Sequence, residues 1–146
     1  ATGRPIEAPN ARFLSSPFEA VPGPLGAHNW HPMAFSPDTG LVYIPAQTIP
    51  QIYVDEQPGA KPQVFWNTGV EFAGAGKAPT PTERRAAKAL LKGQLVAWDP
   101  VAKAPRWTAD YPTAWNGGLL ATAGGLVFQG SLDAKFRAYD AADGKV

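Results

Sequence analysis

The feature that most constrains the fold of this chain is a pair of hairpin types that occurs twice, in the same order. The first type contains Gly40-Leu41-Val42-Tyr43, which is matched later by Gly125-Leu126-Val127-Phe128. The second type contains Ala97-Trp98-Asp99, which is matched by Ala138-Tyr139-Asp140. These short runs of β-forming residues are bounded by Gly, Pro and Asp, as is typical of strands joined by tight turns. The chain is therefore predicted to contain a repeated unit of four strands.

Tandem four-stranded units are typical of a β-propeller, in which each unit is one antiparallel sheet, or blade. We predict an all-β fold with two blades' worth of strands. One strand of a preceding blade is expected within residues 1–10, near Pro5–Glu7. A blade with an insertion follows in residues 31–109, and most of the next blade, with three strands, in residues 117–146. A β-sandwich is the alternative, but two matches in one order favour the propeller.

Residues 47–91 interrupt the first of these blades and are predicted to be mostly loop, since proline and glycine are frequent in them. One short helix is predicted from about Pro81 to Leu91. Thr80 suits the N-cap, and Glu83 completes a capping box. The apolar side chains of this helix, at positions 86, 87, 90 and 91, are expected to pack down. The whole long loop is expected to cap one face of the propeller.

Composition and charge exclude several classes of function. The 13 basic and 12 acidic side chains are scattered, so neither a nucleic-acid stripe nor a polybasic membrane patch is expected. No apolar run reaches the ~18–20 residues of a membrane span. The chain has no cysteine, which excludes disulfides and thiolate metal sites. Glycine and proline, 15 and 16 residues, suit a protein rich in turns.

No catalytic residue and no metal site are predicted in this chain. Motifs for a serine nucleophile, a phosphate loop or a dinucleotide are absent, and the carboxylates form no close pair between apolar neighbours. The two histidines, His28 and His31, are three residues apart, but Pro32 disfavours the helix that would present them together. Structural hydrogen bonding is the favoured interpretation of both.

Two tryptophan–asparagine pairs are the candidate ligand-binding residues. Asn29 and Trp30 precede the first strand of one blade, and Trp115 and Asn116 precede that of the next. The innermost strands of a propeller begin near its axis, so both pairs would be directed at one place. Indole rings and amides suit a flat, carbonyl-rich ligand. On this pattern alone, packing between blades remains open as the other interpretation.

Other residues of the repeat are predicted to be structural. Trp98 and Trp107 lie on consecutive strands and are interpreted as aromatic wedges between blades. Asp99 and Asp140 occupy equivalent turns, where an aspartate commonly accepts hydrogen bonds from turn amides. Exposed tryptophans would instead indicate a carbohydrate-binding β-module.

Residues 26–47 closely resemble a segment of the quinoprotein (PQQ-dependent) alcohol dehydrogenases, and so do residues 93–144 with their Trp-Asn-Gly-Gly and Leu-Val-Phe-Gln-Gly elements. The likeness is greater to the soluble quinohaemoprotein enzymes than to methanol dehydrogenases. It implies an eight-bladed propeller with tryptophan-docking motifs, holding pyrroloquinoline quinone (PQQ) and Ca²⁺ near its axis. It also implies oxidation of alcohols to aldehydes by hydride transfer to the quinone, in the periplasm, with a cytochrome c domain or protein as electron acceptor.

In this resemblance, Asn29 matches the asparagine beside the quinone and Trp115 the tryptophan near its edge, while Trp30 and Asn116 would line the site. The family's catalytic aspartate, Ca²⁺ ligands and stacking tryptophan have no match here. We therefore expect a fragment of the propeller domain, inactive alone, with neither PQQ nor Ca²⁺ bound.

The expected partners follow from the same resemblance: the remaining propeller blades, a small alcohol substrate and cytochrome c. Exposed blade faces also predict self-association of the isolated chain. The alternative is a free-standing oligomeric module that binds a ligand or a carbohydrate.

Overall fold

The computed structural model describes residues 2–55, 70–72 and 80–146, and the described strands form three antiparallel sheets. The first sheet has the order β2-β3-β6-β7, the second β10-β9-β8, and a small sheet β1-β4-β5. The elements are β1 (Phe18–Ala20), β2 (Ala34–Ser36), β3 (Leu41–Thr48), β4 (Gln51–Asp55), β5 (Val70–Phe72), α1 (Pro81–Leu90), β6 (Lys92–Asp99), β7 (Ala104–Tyr111), β8 (Leu119–Ala121), β9 (Leu126–Ser131) and β10 (Lys135–Asp140).

The first sheet has the four predicted strands, with the insertion between β3 and β6, and the second sheet has the three predicted strands. Equivalent turns of the two sheets have the same local geometry. Gly40 and Gly125 each adopt a positive φ, 68° and 74°, which a side chain would disfavour. Asp99 Oδ1 accepts hydrogen bonds from two turn amides, at 2.9 Å each, and Asp140 Oδ1 accepts two at 2.8 and 3.2 Å. The repeat seen in sequence is therefore also a repeat of local structure.

The two sheets stack face to face, and equivalent positions are buried on opposite sides. Tyr43 is fully buried whereas its counterpart Phe128 is half-buried; Val127 is fully buried whereas its counterpart Val42 is half-buried. Stacking two like sheets in the same orientation brings one side of the first against the other side of the second. The shared core comprises Leu41, Tyr43, Leu95, Ala97, Tyr111, Leu119, Val127, Tyr139 and Ala141.

Trp107 joins the two sheets, whereas Trp98 does not. The indole of Trp107 packs against the core, with ring centroids 5.8 Å from Tyr43 and 6.0 Å from Tyr139. A Cβ on Gly144 would lie 2.7 Å from this indole, so only glycine allows the close approach. Because neighbouring strand residues point to opposite faces, Trp98 follows the core residue Ala97 on the side away from the second sheet. Trp107 is thus a wedge between these two sheets, whereas Trp98 lies on the opposite face of the first sheet, where its role as a wedge against another blade remains a prediction.

Three further expectations need correction. Residues 5–7 are exposed and form no strand in this chain, because a lone extended segment without a partner has no ladder to stabilise it. Residues 47–91 are not only loop, since β4 lies within them and pairs with both β1 and β5. Helix α1 has the predicted capping box, but none of its residues is buried, and Leu90 is 54% exposed. The division of the chain into domains remains a prediction.

No helix in residues 2–55, 70–72 and 80–146 is long and apolar enough to cross a membrane.

Candidate functional site

The predicted site residues lie at one end of both sheets, which we call the loop end. Strands β3, β7 and β9 run toward this end, and β6, β8 and β10 run away from it, so the segments that connect them meet there. The segment before β2 is tied to the same end by two backbone bonds: Gln47 N donates to Ala27 O at 2.8 Å, and Leu119 N donates to Pro32 O at 2.9 Å. The described segments of the loop end are residues 26–33, 49–55, 80–91, 112–118 and 132–134.

An aromatic cluster of Trp30, His31 and Trp115 forms at the loop end. The His31 ring stacks on Trp30 with centroids 4.6 Å apart, and it meets Trp115 edge-on at 4.7 Å. The Trp30 and Trp115 centroids are 6.3 Å apart. His31 is only 8% exposed, whereas Trp30 is 74% exposed. The structure thus brings together the two tryptophans that the repeat pattern paired, with a histidine between them that the sequence analysis assigned only a structural role.

Asn29 sets the backbone of this cluster and keeps part of its amide available. Its Nδ2 donates to the carbonyl of Leu25 at 2.8 Å, and its Oδ1 accepts from the backbone N–H of Trp30 at 2.8 Å. A carboxamide has two N–H donors and two acceptor positions, so one of each remains for a ligand. Asn29 is half-buried, which leaves this edge accessible.

Asn116, in contrast, is committed to the protein. It is buried, and its Oδ1 accepts from the Thr113 hydroxyl at 2.9 Å and from the Leu132 N–H at 3.2 Å. Its Nδ2 donates to the Thr113 carbonyl at 2.8 Å. These bonds close the segment that carries Trp115, which adopts a positive φ of 60°. In this chain Asn116 is therefore placed to hold Trp115 rather than to meet a ligand.

A buried hydrogen-bonded chain, which the sequence analysis missed, supports the same segment. The Tyr139 hydroxyl donates to that of Tyr111 at 2.8 Å, the Tyr111 hydroxyl donates to Gln129 Oε1 at 2.7 Å, and Gln129 Nε2 donates to the Gly117 carbonyl at 2.7 Å. Gln129 is 1% exposed. Burial raises the pKa of Tyr111 far above its usual range. The available signal was a glutamine two residues after Val127, on the same side of the strand as that buried apolar residue.

A charged pair borders this chain on the second sheet. The Arg137 guanidinium donates to both carboxylate oxygens of Asp133, at 3.1 and 2.5 Å, and lies 5.3 Å from the centroid of the Tyr111 ring. Hydrogen bonds from Arg137 and then Ser131 hold the pKa of Asp133 well below its usual range. The ion pair is therefore part of the contact between the sheets and not a free charge.

The loop end fits the rim of a flat, carbonyl-rich cofactor better than it fits a metal. It offers the exposed indole of Trp30 and the remaining amide groups of Asn29. His28, the other histidine, lies with Nδ1 2.8 Å from the carbonyl oxygen of Pro45. Among the residues that the structure describes, no three His, Cys, Asp or Glu side chains are grouped closely enough to hold a metal ion.

Comparisons with known proteins identify consistent relatives, although no family model matches the chain. It is 46% identical over 145 residues to the quinohemoprotein alcohol dehydrogenase ADH IIB of Pseudomonas putida, covering 99% of this chain and 20% of that protein. It is 46% identical over 153 residues to the quinohemoprotein alcohol dehydrogenase of Comamonas testosteroni, covering 98% of this chain and 20% of the relative.

Solved structures agree with these relatives. The crystal structure of the Comamonas testosteroni quinohemoprotein alcohol dehydrogenase matches with a TM-score of 0.79 and 43% identity, covering 98% of this chain and 21% of that one. That of ADHIIG from Pseudomonas putida HK5 matches with a TM-score of 0.80 and 37% identity, covering 93% and 20%. These matches confirm the propeller-blade fold. The chain spans about a fifth of the length of the relatives that it matches.

Proposed function

We propose, from the premise that this chain belongs to the quinoprotein (PQQ-dependent) alcohol dehydrogenases and corresponds to part of their propeller, that it supplies one rim of a quinone site. The observation that carries the proposal is the meeting of Trp30 and Trp115, 6.3 Å apart, at the end of the sheets where the connecting segments converge. In a closed propeller the innermost strands line the central channel, so the segments that lead into β2 and β8, which carry Trp30 and Trp115, would lie near the axis.

Four residues have distinct roles in this rim. Asn29 presents its second amide N–H to a quinone oxygen, and the indole of Trp115 contacts the edge of the cofactor. Trp30 provides an exposed aromatic surface beside them. Asn116 acts from behind, through the bonds that fix the segment carrying Trp115.

In the assembled enzyme, PQQ would accept a hydride from an alcohol, which becomes an aldehyde. The catalytic base and the Ca²⁺ ligands would come from other parts of the enzyme, since the described residues include no cluster of metal ligands. A relative from Thauera butanivorans, 40% identical, is a 1-butanol dehydrogenase (cytochrome c). It supports a cytochrome c as the electron acceptor. The periplasm is the compartment that the resemblance to this family implies.

The partners that complete the site would be the remaining propeller blades. Phe35 on the first sheet, and Leu120 and Phe136 on the second, are each more than half exposed. On the second sheet, Phe128 stacks on Phe136 with ring centroids 5.7 Å apart, so these two side chains form one continuous apolar surface. Neighbouring blades would cover these surfaces. The isolated chain should self-associate through them and lack activity, because base, metal and cofactor must be positioned together for hydride transfer.

A chimera tests the proposal. This chain replaces the corresponding fifth of the Comamonas testosteroni enzyme, and ethanol oxidation is measured after reconstitution with PQQ and Ca²⁺. Asn29→Ala should weaken quinone binding about 3–10-fold, the value of one hydrogen bond, and Trp115→Ala by about tenfold or more. Asn10→Ala, at an exposed asparagine bonded to Ser16, is the matched control and should leave binding unchanged. A folded chimera that binds quinone equally well with and without Trp115 would refute the rim.

A carbohydrate-binding module is the second candidate, because one tryptophan, Trp30, is 74% exposed and suited to stack on a sugar ring. The isolated chain distinguishes the two. Saturable quenching of its tryptophan fluorescence by glucose or a cello-oligosaccharide, lost in Trp30→Ala, would favour the module. Ethanol oxidation by the isolated chain with added PQQ and Ca²⁺ would contradict the proposed need for further blades.

A further inference from the structure

A groove of about 260 Å³ lies at the loop end, between the end of α1 and the segment that joins β7 to β8. Leu91 lies on one wall, Ala114 and Trp115 on the other, and Leu132 comes from the turn between β9 and β10. Its size is near the lower end for small-molecule sites, and its lining is largely apolar, as is typical of such sites.

The polar atoms of the groove are mostly occupied by the protein itself. The Thr113 hydroxyl donates to Asn116 Oδ1 at 2.9 Å, and the Thr113 carbonyl accepts from Asn116 Nδ2 at 2.8 Å. Among the described lining residues, Lys88 is the one charged side chain. Recognition there would consist of apolar contact together with a single positive charge.

The charge of the surrounding helix has the same sign. From Thr80 to Lys92 the chain carries Arg84, Arg85, Lys88 and Lys92, against a single acid, Glu83. The Glu83 carboxylate accepts the Thr80 N–H at 2.7 Å, which lowers the pKa of Glu83 and ties its charge to the start of α1. Each of the two adjoining grooves has one carboxylate in its lining, Glu19 in one and Asp110 in the other, and Asp110 accepts from Gln94 Nε2 at 2.7 Å. A cluster of like charges beside an apolar groove favours an anionic ligand.

We propose that this groove binds a small amphipathic organic anion, a carboxylate on an apolar chain or ring. The apolar body lies against Leu91, Ala114 and Trp115, and the carboxylate pairs with the ammonium of Lys88. Apolar burial provides most of the affinity, and the ion pair provides the selectivity for charge. The groove shares Trp115 with the proposed quinone rim, but the proposal does not depend on quinone binding.

Three probes of equal length separate apolar binding from charge recognition: octanoate, 1-octanol and octylammonium. Binding to the full chain is followed by calorimetry and tryptophan fluorescence, below the concentrations at which the probes aggregate. Octanoate should bind about threefold to fivefold more tightly than 1-octanol, as an exposed ion pair allows, and octylammonium more weakly than both. Equal affinities for the three would overturn the proposal.

Variants locate the effect. Lys88→Gln removes the charge and keeps most of the length of the side chain, and it should abolish the preference for octanoate, while 1-octanol binding stays unchanged. Lys103→Gln, in the turn at the opposite end of the first sheet, is the matched control and should keep the preference. A preference that survives Lys88→Gln would rule out this site.

A second variant tests the part of the groove that is formed by the turn between β9 and β10. Leu132→Asp places a carboxylate opposite Lys88 at a residue that is 66% exposed, so folding should be unaffected. Octanoate should then bind less tightly than 1-octanol, whereas unaltered octanoate affinity would place the anion elsewhere and refute the proposal. None of these measurements uses quinone, so a failed groove leaves the chimera result for the quinone rim intact.

Discussion

The indole Nε1 of Trp107 donates a hydrogen bond to the carbonyl oxygen of Ala141 at 3.1 Å, and this bond ties the last strand of the first sheet to the turn that ends the second. The Tyr43 hydroxyl donates to the same carbonyl oxygen at 2.8 Å. Two side chains of one sheet thus converge on a single acceptor of the next. The contact between the sheets therefore combines apolar packing with hydrogen bonds, and the hydrogen bonds fix how the two sheets are oriented.

Replacing Trp107 should be costly because both packing and this bond are lost. For Trp107→Ala we expect a loss of about 2–4 kcal/mol in the free energy of unfolding, measured by urea denaturation. Trp107→Phe keeps much of the ring but not the donor, and should cost about 1 kcal/mol more than the lost ring area alone. Trp98→Ala, at a half-buried position on the other face, should cost less. An unchanged stability of Trp107→Ala would contradict the docking role.

Adding a methyl group at Gly93 should displace the segment that carries Trp115. A Cβ there would lie 2.1 Å from the Thr113 carbonyl oxygen and 2.4 Å from Asn116 Nδ2, so backbone must move. We expect Gly93→Ala to destabilise the chain by about 1–3 kcal/mol and to change the near-ultraviolet circular dichroism of the tryptophan cluster. Gly124→Ala is the control, because its Cβ would meet only the Thr122 hydroxyl, at 3.8 Å. Equal effects of the two substitutions would show that the close approach is unimportant.

Stability should fall in acid because of Asp133. Its pKa is lowered in the folded chain by the hydrogen bonds from Arg137 and Ser131, while an unfolded aspartate titrates near ~3.9. Above about pH 4 the carboxylate is ionised in both states and its pairing contributes fully. Below that pH the unfolded chain binds the proton first, so the free energy of unfolding decreases toward the lowered pKa.

Denaturation of Asp133→Asn between about pH 2 and pH 7 should therefore show a flatter acid limb than the parent. Asp38→Asn, which removes a carboxylate from an exposed turn, is the matched control. An acid limb that is the same in Asp133→Asn and in the parent would mean that the Arg137 contact contributes nothing in solution.

Because of Tyr111, we expect the free energy of unfolding to fall at alkaline pH as well. Burial raises its pKa in the folded chain, whereas an unfolded tyrosine ionises near ~10. Its contribution is complete below about pH 10 and is lost as the pH rises, because only the unfolded chain releases the proton. Tyr111→Phe should flatten this alkaline limb and cost about 1–3 kcal/mol at neutral pH, since Gln129 Oε1 loses its buried donor. Absorbance titration near 295 nm of the chain and of Tyr111→Phe checks it: a phenol that is missing in the variant and that ionises in the parent before the chain unfolds would refute the assignment.

The repeated strands could be predicted because their signals are local. Turns such as the one before Leu41 depend on a glycine at positive φ, and Asp99 and Asp140 close their turns with neighbouring amides. The start of the helix after Thr80 can be predicted from the sequence in the same way, since a capping box involves residues three apart. In each case the interacting groups lie within a few residues of one another in the chain, so a short sequence pattern is enough to predict the local structure.

The unpredicted features depend on distant partners. Strand β1 exists because Phe18 pairs with Tyr53, which no short window of sequence reveals. Residues 5–7 have no partner among the described strands and form no strand, although the repeat predicts one there. The tryptophans of the candidate site could be paired from the repeat, yet the internal bonding of Asn116 depends on Leu132 in another turn.

The opposite burial of Tyr43 and Phe128, and of Val42 and Val127, has a consequence for the evolution of this segment. Each four-strand unit buries different side chains on its two faces, because one face packs against the preceding unit and the other against the following unit. A substitution that is tolerated at a position in one unit need not be tolerated at the equivalent position of the next, because the two positions contact different residues. We therefore expect residues that contact one another across the two sheets, such as Trp107 with Tyr139 and Trp107 with Gly144, to change together, rather than residues at equivalent positions of the repeat.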